Sequence, residues 1–421
     1  MTAPHPTAAR GFAAGADAYE RSRPDYPAEA IALIAKRLDL RPGRTILELG
    51  AGTGKLTRLL VPTGASILAL EPVTEMRERL RVAAPAVALL DGTAEAIPLP
   101  AMSVDGVVVA QAFHWFDAIR ALSEIHRVLR PGGELVLAWN VRDESVPWVK
   151  AMGELIHAMA AGEPGVRDSA WRGALARCAL FAPVESETFG HGQRLDRDGV
   201  LDRVASVSYV AAAAPAARFR VLADVAALVD ADLRASPDGR IELPYQTEVQ
   251  WAAGRWPAPG ATGIVASVNL SRGGVPKQPV DDTRILRLGL EGDGHDEPEP
   301  THGGPDQAVS LYSQEAIERV RADGHEAFPG GYGENLTLLG VDWGALGSGD
   351  RLALGDSASG PLLELVSYAN PCQTIAHWFV ERRIARISGR THPDDARWYA
   401  RVLREGAVAP GMAVHLVRHG T

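Results

Sequence analysis

The chain has 421 residues, of which 46% are hydrophobic and 23% are charged. A single hydrophobic core stops growing at about 250–300 residues, so this length predicts two or three domains, and the composition excludes a disordered chain. The net charge of −9 argues against a general binder of nucleic acid or anionic membranes and favours a small-molecule substrate.

The N-terminus shows no basic segment followed by an apolar core, and no run approaches the roughly 20 apolar residues that span a bilayer. We therefore expect a cytoplasmic protein without membrane contacts. The two cysteines, Cys178 and Cys372, are too few for a disulfide framework or a structural zinc cluster, so no metal site is expected. No feature of the sequence indicates an oligomeric state.

Five short apolar runs alternate with helical stretches in the first half of the chain, which predicts a parallel sheet flanked by helices. The predicted strands cover residues 45–50, 66–72, 87–92, 104–113 and 134–140. Connecting helices are predicted at residues 55–60 and 118–129, the second before the stop signal Pro131-Gly132-Gly133. Residues 141–235 have a mainly helical pattern, and residues 241–252 predict a late strand.

A segment rich in Gly, Pro and Ala, residues 252–263, precedes a different pattern, and we place the domain boundary near residue 255. Beyond it, short apolar runs are separated by Gly, Asp and Pro, which predicts a β-rich, barrel-like domain. The runs cover residues 263–271, 284–292, 308–313, 335–340, 351–355 and 362–370. Helices are predicted at residues 314–321, 377–387 and 394–404.

A glycine-rich segment lies where the first strand should turn into the first helix. Gly50, Gly52 and Gly54 are two residues apart, a spacing that permits a tight turn and close approach of a ligand to the backbone. A dinucleotide-binding turn instead spaces its last two glycines three apart, so that kind of site is not indicated. Glu71 ends the second strand, where its carboxylate can accept hydrogen bonds from both hydroxyls of a ribose.

These residues resemble the class I S-adenosylmethionine-dependent methyltransferases, particularly the small-molecule branch that includes ubiquinone/menaquinone-type and trans-aconitate-type enzymes. The resemblance covers roughly residues 10–250 and depends on five segments in order. They are residues 48–54, 71–72, 91–98, 111–116 and 126–133. It implies an α/β fold with a Rossmann-like sheet and flanking helices, S-adenosylmethionine as cofactor, and a methyltransferase domain at residues 1–252.

By this resemblance, the cofactor contacts residues in four of those segments. They are Glu48, Gly50, Gly52, Gly54, Glu71, Gly92, Thr93, Ala94, Glu95 and Gln111. Glu48 is expected to help hold the amino-acid end of the cofactor, Glu71 its ribose, and residues 92–95 its adenine. For Glu95, a solvated loop acid is the alternative interpretation.

The aromatic segment Phe113-His114-Trp115-Phe116 follows the fourth strand, at the sheet edge where ligands bind. Its rings could exclude water from the reacting group, although packing under a cap is the simpler interpretation of Phe113 and Phe116. His114 could act as a general base, but methyl transfer from a sulfonium depends mainly on positioning and often needs none. Upstream, Tyr19 and Arg23 match the entry segment of this branch and either cover the cofactor or belong to surface packing.

Three loops of the second half place Gly or Pro beside polar residues, where the backbone must come close to another group. They are residues 302–309, 330–336 and 370–373. Cys372 lies in the last of them, at the end of an apolar run. Thiol chemistry requires the thiolate, so a reactive Cys372 needs an electropositive neighbour, which His302 or a loop amide could supply. Cys178 lies in an apolar helical pattern and is expected in the core.

The same loops, with residues 289–293 and 398–403, resemble the MOSC domain, named after the C-terminal domain of molybdenum-cofactor sulfurases. The likeness covers about residues 256–418 and implies a MOSC domain at residues 256–421. It is greatest to small bacterial members that are associated with resistance to N-hydroxylated purine analogues. In that family the cysteine matching Cys372 is proposed to carry sulfur, and the domain is thought to recognise a pterin-type ligand. This chain has no cysteine desulfurase domain, so sulfur would come from a sulfur-donor protein or from the substrate.

Two functions from different classes fit these patterns. The first is a bifunctional enzyme. In its second domain, Cys372 and His302 generate, carry or release sulfur on a small molecule; its first domain, with His114, methylates a nearby acceptor, which could be that sulfur. The alternative is an oxygen-, nitrogen- or carboxyl-directed methyltransferase with the MOSC domain as a ligand-binding or regulatory module. A molybdenum-cofactor-linked activity is a third possibility, without a metal motif in its favour.

Overall fold

The computed structural model describes residues 22–160, 169–178, 180–257, 260–294 and 303–417. The chain divides into two units. One comprises the chain up to Leu175 together with Ala182–Gly254, and the other comprises Ala176–Phe181 together with the chain from Arg255 onward. Within the described ranges, no helix is both long enough and apolar enough to cross a membrane.

The first unit contains a seven-stranded sheet with the spatial order β3-β2-β1-β4-β5-β7-β6. Its strands are β1 (Thr45–Leu49), β2 (Ser66–Leu70), β3 (Ala88–Leu90), β4 (Val104–Ala110), β5 (Leu129–Arg142), β6 (Glu185–Leu195) and β7 (Ile241–Ala253). Strands β1 to β5 are parallel, whereas β7 runs antiparallel to both β5 and β6. The predicted Rossmann-like α/β sheet is therefore confirmed, including the late strand.

Nine α-helices are described in this unit. They are α1 (Ala28–Arg37), α2 (Thr57–Leu60), α3 (Thr74–Ala83), α4 (Ala118–Val128), α5 (Pro147–His157), α6 (Ser169–Arg177), α7 (Arg197–Ala205), α8 (Ser208–Ala211) and α9 (Pro215–Ala235). Helix α4 begins at an N-cap, because the Asp117 side chain accepts a hydrogen bond from the backbone N–H of Arg120. Leu122 and Ile125 are buried, as their helical spacing predicts, whereas Ile119 in the first turn is exposed.

The stretch predicted as mainly helical, residues 141–235, also contains strand β6. Eleven residues of β6 pair with β7, yet most of the β6 side chains are exposed or half-buried because the strand lies at the edge of the sheet. An edge strand without a buried face has no alternating apolar pattern, so the sequence gives no sign of it. The prediction of a mainly helical segment was therefore incomplete.

The second unit contains a closed barrel of seven strands. Their order is β13-β12-β16-β15-β14-β18-β8, and pairing of β13 with β8 closes the circle. These strands are β8 (Gly263–Leu270), β12 (Val309–Ser313), β13 (Leu336–Leu339), β14 (Arg351–Leu354), β15 (Leu362–Ala369), β16 (Arg397–Arg404) and β18 (Ala413–Val417). Strand β9 (Gln278–Val280) pairs with β8, and β10 (Thr283–Leu286) pairs with β11 (Gly289–Leu290) and β17 (Gly406–Val408). The predicted β-rich, barrel-like fold is confirmed.

Of the three helices predicted in this unit, one is present. Helix α10 (Gln314–Ala322) is confirmed, whereas residues 377–387 form short 3-10 turns. The helix predicted at residues 394–404 was wrong, since Arg397–Arg404 is strand β16. This strand pairs with both β12 and β15 and buries Trp398 and Ala400, so long-range barrel pairing overrides the local helical spacing.

Candidate functional site

The glycine-rich segment follows β1 at the carboxyl edge of the first sheet. The strand order reverses between β1 and β4, which places a crevice outside the carboxyl ends of these strands. Open α/β sheets bind ligands at such a switch point. The ends of β1, β2, β3 and β4 carry the residues singled out from the sequence, so the fold gathers them along one edge.

The three glycines of this segment have different structural roles. A Cβ built on Gly50 would lie 2.6 Å from the Cβ of Ala112, and one on Gly54 would lie 2.4 Å from Cδ1 of Leu80. Both glycines are therefore required by packing, and both have positive φ angles. A Cβ on Gly52 would have no heavy atom of a described residue within 4 Å. Gly52 alone of the three borders open space, as a residue lining a ligand cleft would.

Glu71 is a buried carboxylate directly after β2. Its Oε2 accepts a hydrogen bond of 2.8 Å from the backbone N–H of Gly52, and its Oε1 accepts one of 2.8 Å from that of Val73. Burial raises the pKa of the Glu71 carboxyl, and the hydrogen bonds from these two amides oppose the increase. Because a carboxylate has about four acceptor positions, roughly two remain for a ligand.

Glu48 is a second buried carboxyl, on β1. Its Oε2 accepts a hydrogen bond of 2.7 Å from the Thr57 hydroxyl. Burial raises the pKa of Glu48 to about 8, the Thr57 hydrogen bond opposes the increase, and the neighbouring charge of Glu71 adds to it. Without a cationic ligand, this carboxyl is therefore mostly protonated at pH 7.

Glu48→Gln should stabilise the cofactor-free protein in a pH-dependent manner. The Glu48 carboxyl has a pKa of about 8 in the folded protein and about 4.5 in the unfolded chain, so the unfolded chain loses the proton at lower pH. The stability that the neutral carboxyl contributes is therefore fully present below about pH 4.5 and is lost as the pH rises to about 8. The variant should therefore gain several degrees in melting temperature at pH 8 and much less at pH 5. Thermal unfolding at both pH values checks this, with exposed Glu75→Gln as the control. An equal gain at both pH values would contradict the assignment.

The segment after β3 is held by local contacts. Thr93 and Ala94 are buried, and a Cβ on Gly92 would lie 2.9 Å from Cδ of Pro98. Glu95 Oε1 accepts a hydrogen bond of 2.9 Å from the backbone N–H of Asp117, the N-cap of α4. Glu95 is therefore not a freely solvated loop acid, because it ties this segment to the start of α4.

Aromatic rings border the ends of β4 and β5. Phe113 is fully buried and packs edge-on against Phe116 at a centroid distance of 5.6 Å and against Trp171 at 5.7 Å. Trp171 also lies 4.6 Å from Trp139. The contact of Trp139 with Trp171 was not predicted, because β5 and α6 are far apart along the chain. Packing under a cap, the simpler interpretation of Phe113 and Phe116, matches this arrangement.

Two further predicted residues lie at the same edge. Gln111 follows β4 with a φ of 58°, a conformation that non-glycine residues seldom adopt and that is enriched at functional sites. The His114 ring packs against Trp115 at a centroid distance of 5.0 Å. Arg23 donates a hydrogen bond of 3.0 Å to the Ser206 carbonyl, while Tyr19 lies outside the described residues.

The residues at this edge fit S-adenosylmethionine. The open face over Gly52 leaves room for a ligand against the backbone, and Glu71 retains acceptor positions suited to hydroxyl groups. Glu48 can become an anion beside a cationic group such as an α-ammonium. Each of these features matches one part of the cofactor.

The second unit holds a cavity of about 140 Å³ beside the end of β15. Its polar lining residues are Lys277, Gln307, Ser310, Tyr332, Asn335, Cys372, Thr374, Arg397 and Tyr399. Cys372 is half-exposed and follows β15 by three residues. The cysteine singled out from the sequence therefore faces a cavity. His302 lies outside the described residues.

A hydrogen-bonded network orients one wall of this cavity. Lys277 forms a buried ion pair with Asp293, whose Oδ2 also accepts a hydrogen bond of 2.8 Å from Asn335 Nδ2. Asn335 Oδ1 in turn accepts a hydrogen bond of 3.1 Å from the Ser310 hydroxyl. Asp293 and Asn335 lie in the segments quoted for the MOSC resemblance, whereas Lys277 was missed.

Arg397 is a second buried cation on the cavity wall, and the sequence analysis also missed it. It donates to the Tyr332 carbonyl, and its Nε has no hydrogen-bond partner within the described ranges. Glu334 is fully buried behind the wall and accepts a hydrogen bond of 2.6 Å from the Gly330 N–H. Burial raises the pKa of Glu334, and the charge of Arg397 opposes the increase. The cavity therefore offers cationic groups to a ligand.

Cys178 differs from Cys372 in its surroundings. It lies directly after α6 and shortly before the buried residues Leu180 and Phe181, but the residue as a whole is half-exposed, as Cys372 is. Cys178 is therefore not the fully buried core residue that its apolar pattern predicts. Burial of the thiol raises the pKa of Cys178 to about 12, so almost no thiolate forms near neutral pH. In the part of the chain that the structure describes, no group of three or more His, Cys, Asp or Glu side chains could hold a metal ion.

Two families match parts of this chain. Residues 47–137 match the family described as methyltransferase domain, and residues 298–415 match the MOSC domain. An uncharacterized methyltransferase of Mycobacterium tuberculosis is 41% identical over 239 residues, which are 56% of this chain and 92% of that protein. An uncharacterized methyltransferase of Schizosaccharomyces pombe is 44% identical over 145 residues, 34% of this chain and 58% of that protein.

Among solved structures, the YcgJ protein of Bacillus subtilis aligns with a TM-score of 0.37 and 19% identity, covering 54% of this chain and 99% of that one. The assignment of the first unit to a family depends on the Mycobacterium tuberculosis relative, because the match spans nearly the whole length of that protein. The chain therefore belongs to the class I S-adenosylmethionine-dependent methyltransferases, and a MOSC domain follows its methyltransferase domain.

Proposed function

We propose that the protein is a bifunctional small-molecule enzyme, in which methyl transfer in the first unit is coupled to sulfur handling at Cys372 in the second. The observation that carries the second activity is the position of Cys372 on a cavity wall shared with the cations Lys277 and Arg397. The thiol and both cations border the same space, so a sulfur-bearing anion bound there would lie beside Cys372.

In the first unit, the residues along the carboxyl edge would hold the cofactor. When bound, S-adenosylmethionine supplies a methyl group on a positively charged sulfur. Glu71 would accept hydrogen bonds from the ribose, Glu48 would face the amino-acid end, and residues 92–95 and Gln111 would border the rest. The open face over Gly52 supports this placement.

The chain contributes to methyl transfer mainly by positioning. The aromatic wall of Phe113, Phe116 and Trp171 would keep water from the reacting groups. Holding two reactants in line can supply much of the rate enhancement. His114 serves as a general base only for an acceptor that still carries its proton, and a thiolate acceptor would not need it.

In the second unit, sulfur would reach Cys372 by persulfide exchange. The Cys372 thiolate attacks the outer sulfur of a donor persulfide, the bond between the two donor sulfurs breaks, and the donor leaves as a thiolate. No net oxidation occurs, so no further reactant is needed. A second exchange would pass the sulfur to a small thiol, whose product is a good methyl acceptor at neutral pH.

Incubation of the full chain with glutathione persulfide at pH 7 tests the sulfur step. Intact mass and peptide mapping should show a gain of one sulfur atom at Cys372 in the wild type and in Cys178→Ser, and none in Cys372→Ser. Cys178 should stay unmodified, because with a pKa of about 12 only about 10⁻⁵ of it is ionised at pH 7. An unmodified Cys372 in the wild type would refute sulfur transfer.

One observation favours the alternative, in which the MOSC domain only binds a ligand. The Nε of Arg397, which has no partner among the described residues, and the Asn335–Asp293 network suit recognition of a polar, anionic ligand such as a phosphorylated pterin, without thiol chemistry. In that case, Cys372→Ser should leave overall methyl transfer unchanged.

A further inference from the structure

Three arginines lie beyond the carboxyl end of β5 in the first unit, and we call Arg23, Arg142 and Arg203 the arginine cluster. Arg142 is the last residue of β5, Arg203 belongs to α7, and Arg23 precedes α1. None of the features quoted for the family resemblance includes Arg142 or Arg203.

Tyr245 connects two members of the cluster. It is the direct cross-strand neighbour of Arg142 in the pairing of β5 with β7. Its hydroxyl accepts a hydrogen bond of 2.9 Å from Arg203 Nε, and the Arg203 guanidinium carbon lies 5.8 Å from the ring centroid. Neighbouring residues of an antiparallel pair point to the same face, so both guanidinium groups lie on one side of the sheet.

Both arginines retain hydrogen-bond donors without partners. Arg203 is only 4% exposed, yet its Nη1 has no partner in the described part of the chain, and neither does the buried Nε of Arg142. Neither side chain forms an ion pair with a described residue. Burying an unpaired charge or an unsatisfied donor is costly, so packing alone does not explain this arrangement.

The local charge is strongly positive. Burial lowers the pKa of Arg142, the charge of Arg203 lowers it further, and Glu144 partly offsets them. Burial raises the pKa of Tyr209, and all three arginines oppose the increase, so each of them acts on this hydroxyl. Among the described residues that act on these groups, the Glu144 carboxylate is outweighed by three guanidinium groups, which leaves the cluster suited to an anion.

The cluster lies next to the site of methyl transfer. Gln111 Nε2 donates a hydrogen bond of 3.4 Å to the carbonyl of Asn140, two residues before Arg142 on β5. Asn140 and Arg142 point to the same face of this strand. Trp139, which packs against Trp171 of the aromatic wall, alternates with these two residues and points to the opposite face. An acceptor held by the cluster would therefore reach the aromatic wall across the carboxyl end of β5.

We propose that Arg142 and Arg203, with Arg23 beside them, bind a carboxylate or phosphate group of the methyl acceptor. The substrate of the first unit is then an anionic small molecule, a conclusion that depends on the methyl transfer described under the proposed function. Planar guanidinium groups suit both anions, because each can donate two parallel hydrogen bonds.

Calorimetric titration of the full chain tests this inference. The protein is first saturated with S-adenosylhomocysteine at low salt, and then citrate and inorganic phosphate are titrated separately. At least one of the two anions should bind the wild type and the exposed control Arg220→Gln with the same affinity. The same anion should bind Arg142→Gln and Arg203→Gln at least tenfold more weakly. The anion that binds distinguishes a carboxylate subsite from a phosphate subsite. S-adenosylhomocysteine affinity should be equal in all variants.

The outcomes separate this inference from the proposed function. Failure of the wild type to bind S-adenosylhomocysteine would refute the cofactor placement itself. Two results would overturn the arginine cluster as a substrate site while S-adenosylhomocysteine binds normally. In the first, the wild type binds neither anion; in the second, Arg142→Gln binds the anions as tightly as the wild type does. If Arg203→Gln does not fold, Arg142→Gln decides, because Arg142 is half-buried at a strand end.

Discussion

Gly50→Ala should destabilise the first unit, whereas Gly52→Ala should leave it folded and weaken cofactor binding. At Gly50 the added Cβ would lie 2.6 Å from the Cβ of Ala112, and the φ of 65° disfavours any side chain. Overpacking and backbone strain together should cost about 3 kcal/mol. At Gly52 the φ of 59° is also unfavourable, but no heavy atom in the described part of the chain lies within 4 Å of the added Cβ, so only the strain remains.

Thermal unfolding and calorimetry on the two variants check this prediction. Gly50→Ala should lower the melting temperature by roughly 6–12 °C, and Gly52→Ala by only a few degrees. Gly52→Ala should nevertheless reduce S-adenosylmethionine affinity by about tenfold or more, since the new methyl group enters the open cleft. Equal destabilisation by both variants, or normal cofactor affinity in Gly52→Ala, would contradict the separate roles assigned to these glycines.

Glu71→Ala should weaken S-adenosylmethionine binding by roughly 10–100-fold. The substitution removes the acceptor positions open to a ligand, and hydrogen bonds to a charged group are worth about 1.5–3 kcal/mol each. It also leaves the N–H groups of Gly52 and Val73 without the acceptor that now fixes the loop. Glu71→Gln keeps one carbonyl oxygen, so its loss should be smaller.

Calorimetric titration of the full chain with S-adenosylmethionine gives these affinities, and circular dichroism shows whether each variant is folded. The exposed Glu75→Gln, on the neighbouring α3, provides a matched control that should bind normally. A folded Glu71→Ala that binds with wild-type affinity would remove Glu71 from the cofactor site.

Local patterns in the sequence predicted most of the fold. The five parallel strands, α4 and the barrel strands up to β15 each have a contiguous apolar run, and all of them except the edge strand β3 bury side chains in their own core. Five strands were not predicted, namely β9, β17 and β18 and the two longest, β6 and β16. Strand β6 lies at an exposed edge, and β16 is fixed by pairing with β12 and β15, which are distant along the chain.

The candidate sites could be predicted only where glycines or a cysteine mark a loop. Gly52, Glu71 and Cys372 stand at strand ends that the sequence indicates, so they could be singled out early. Lys277, Arg397 and the arginine cluster could not, because an arginine or lysine in a sequence is normally solvated. Only the folded chain shows that Arg203 and Arg397 are buried and that each has a donor without a partner among the described residues.

Coupling between the two units is tested most directly by following an isotope-labelled methyl group. The full chain is incubated with labelled S-adenosylmethionine, glutathione persulfide and the small-molecule fraction of a cell extract, and labelled products are identified by mass spectrometry. We expect a labelled product that contains sulfur, forms with the wild type and Cys178→Ser, and is absent with Glu71→Ala and with Cys372→Ser. A labelled product formed equally well by Cys372→Ser would show that methyl transfer proceeds without sulfur handling, and would contradict the bifunctional assignment.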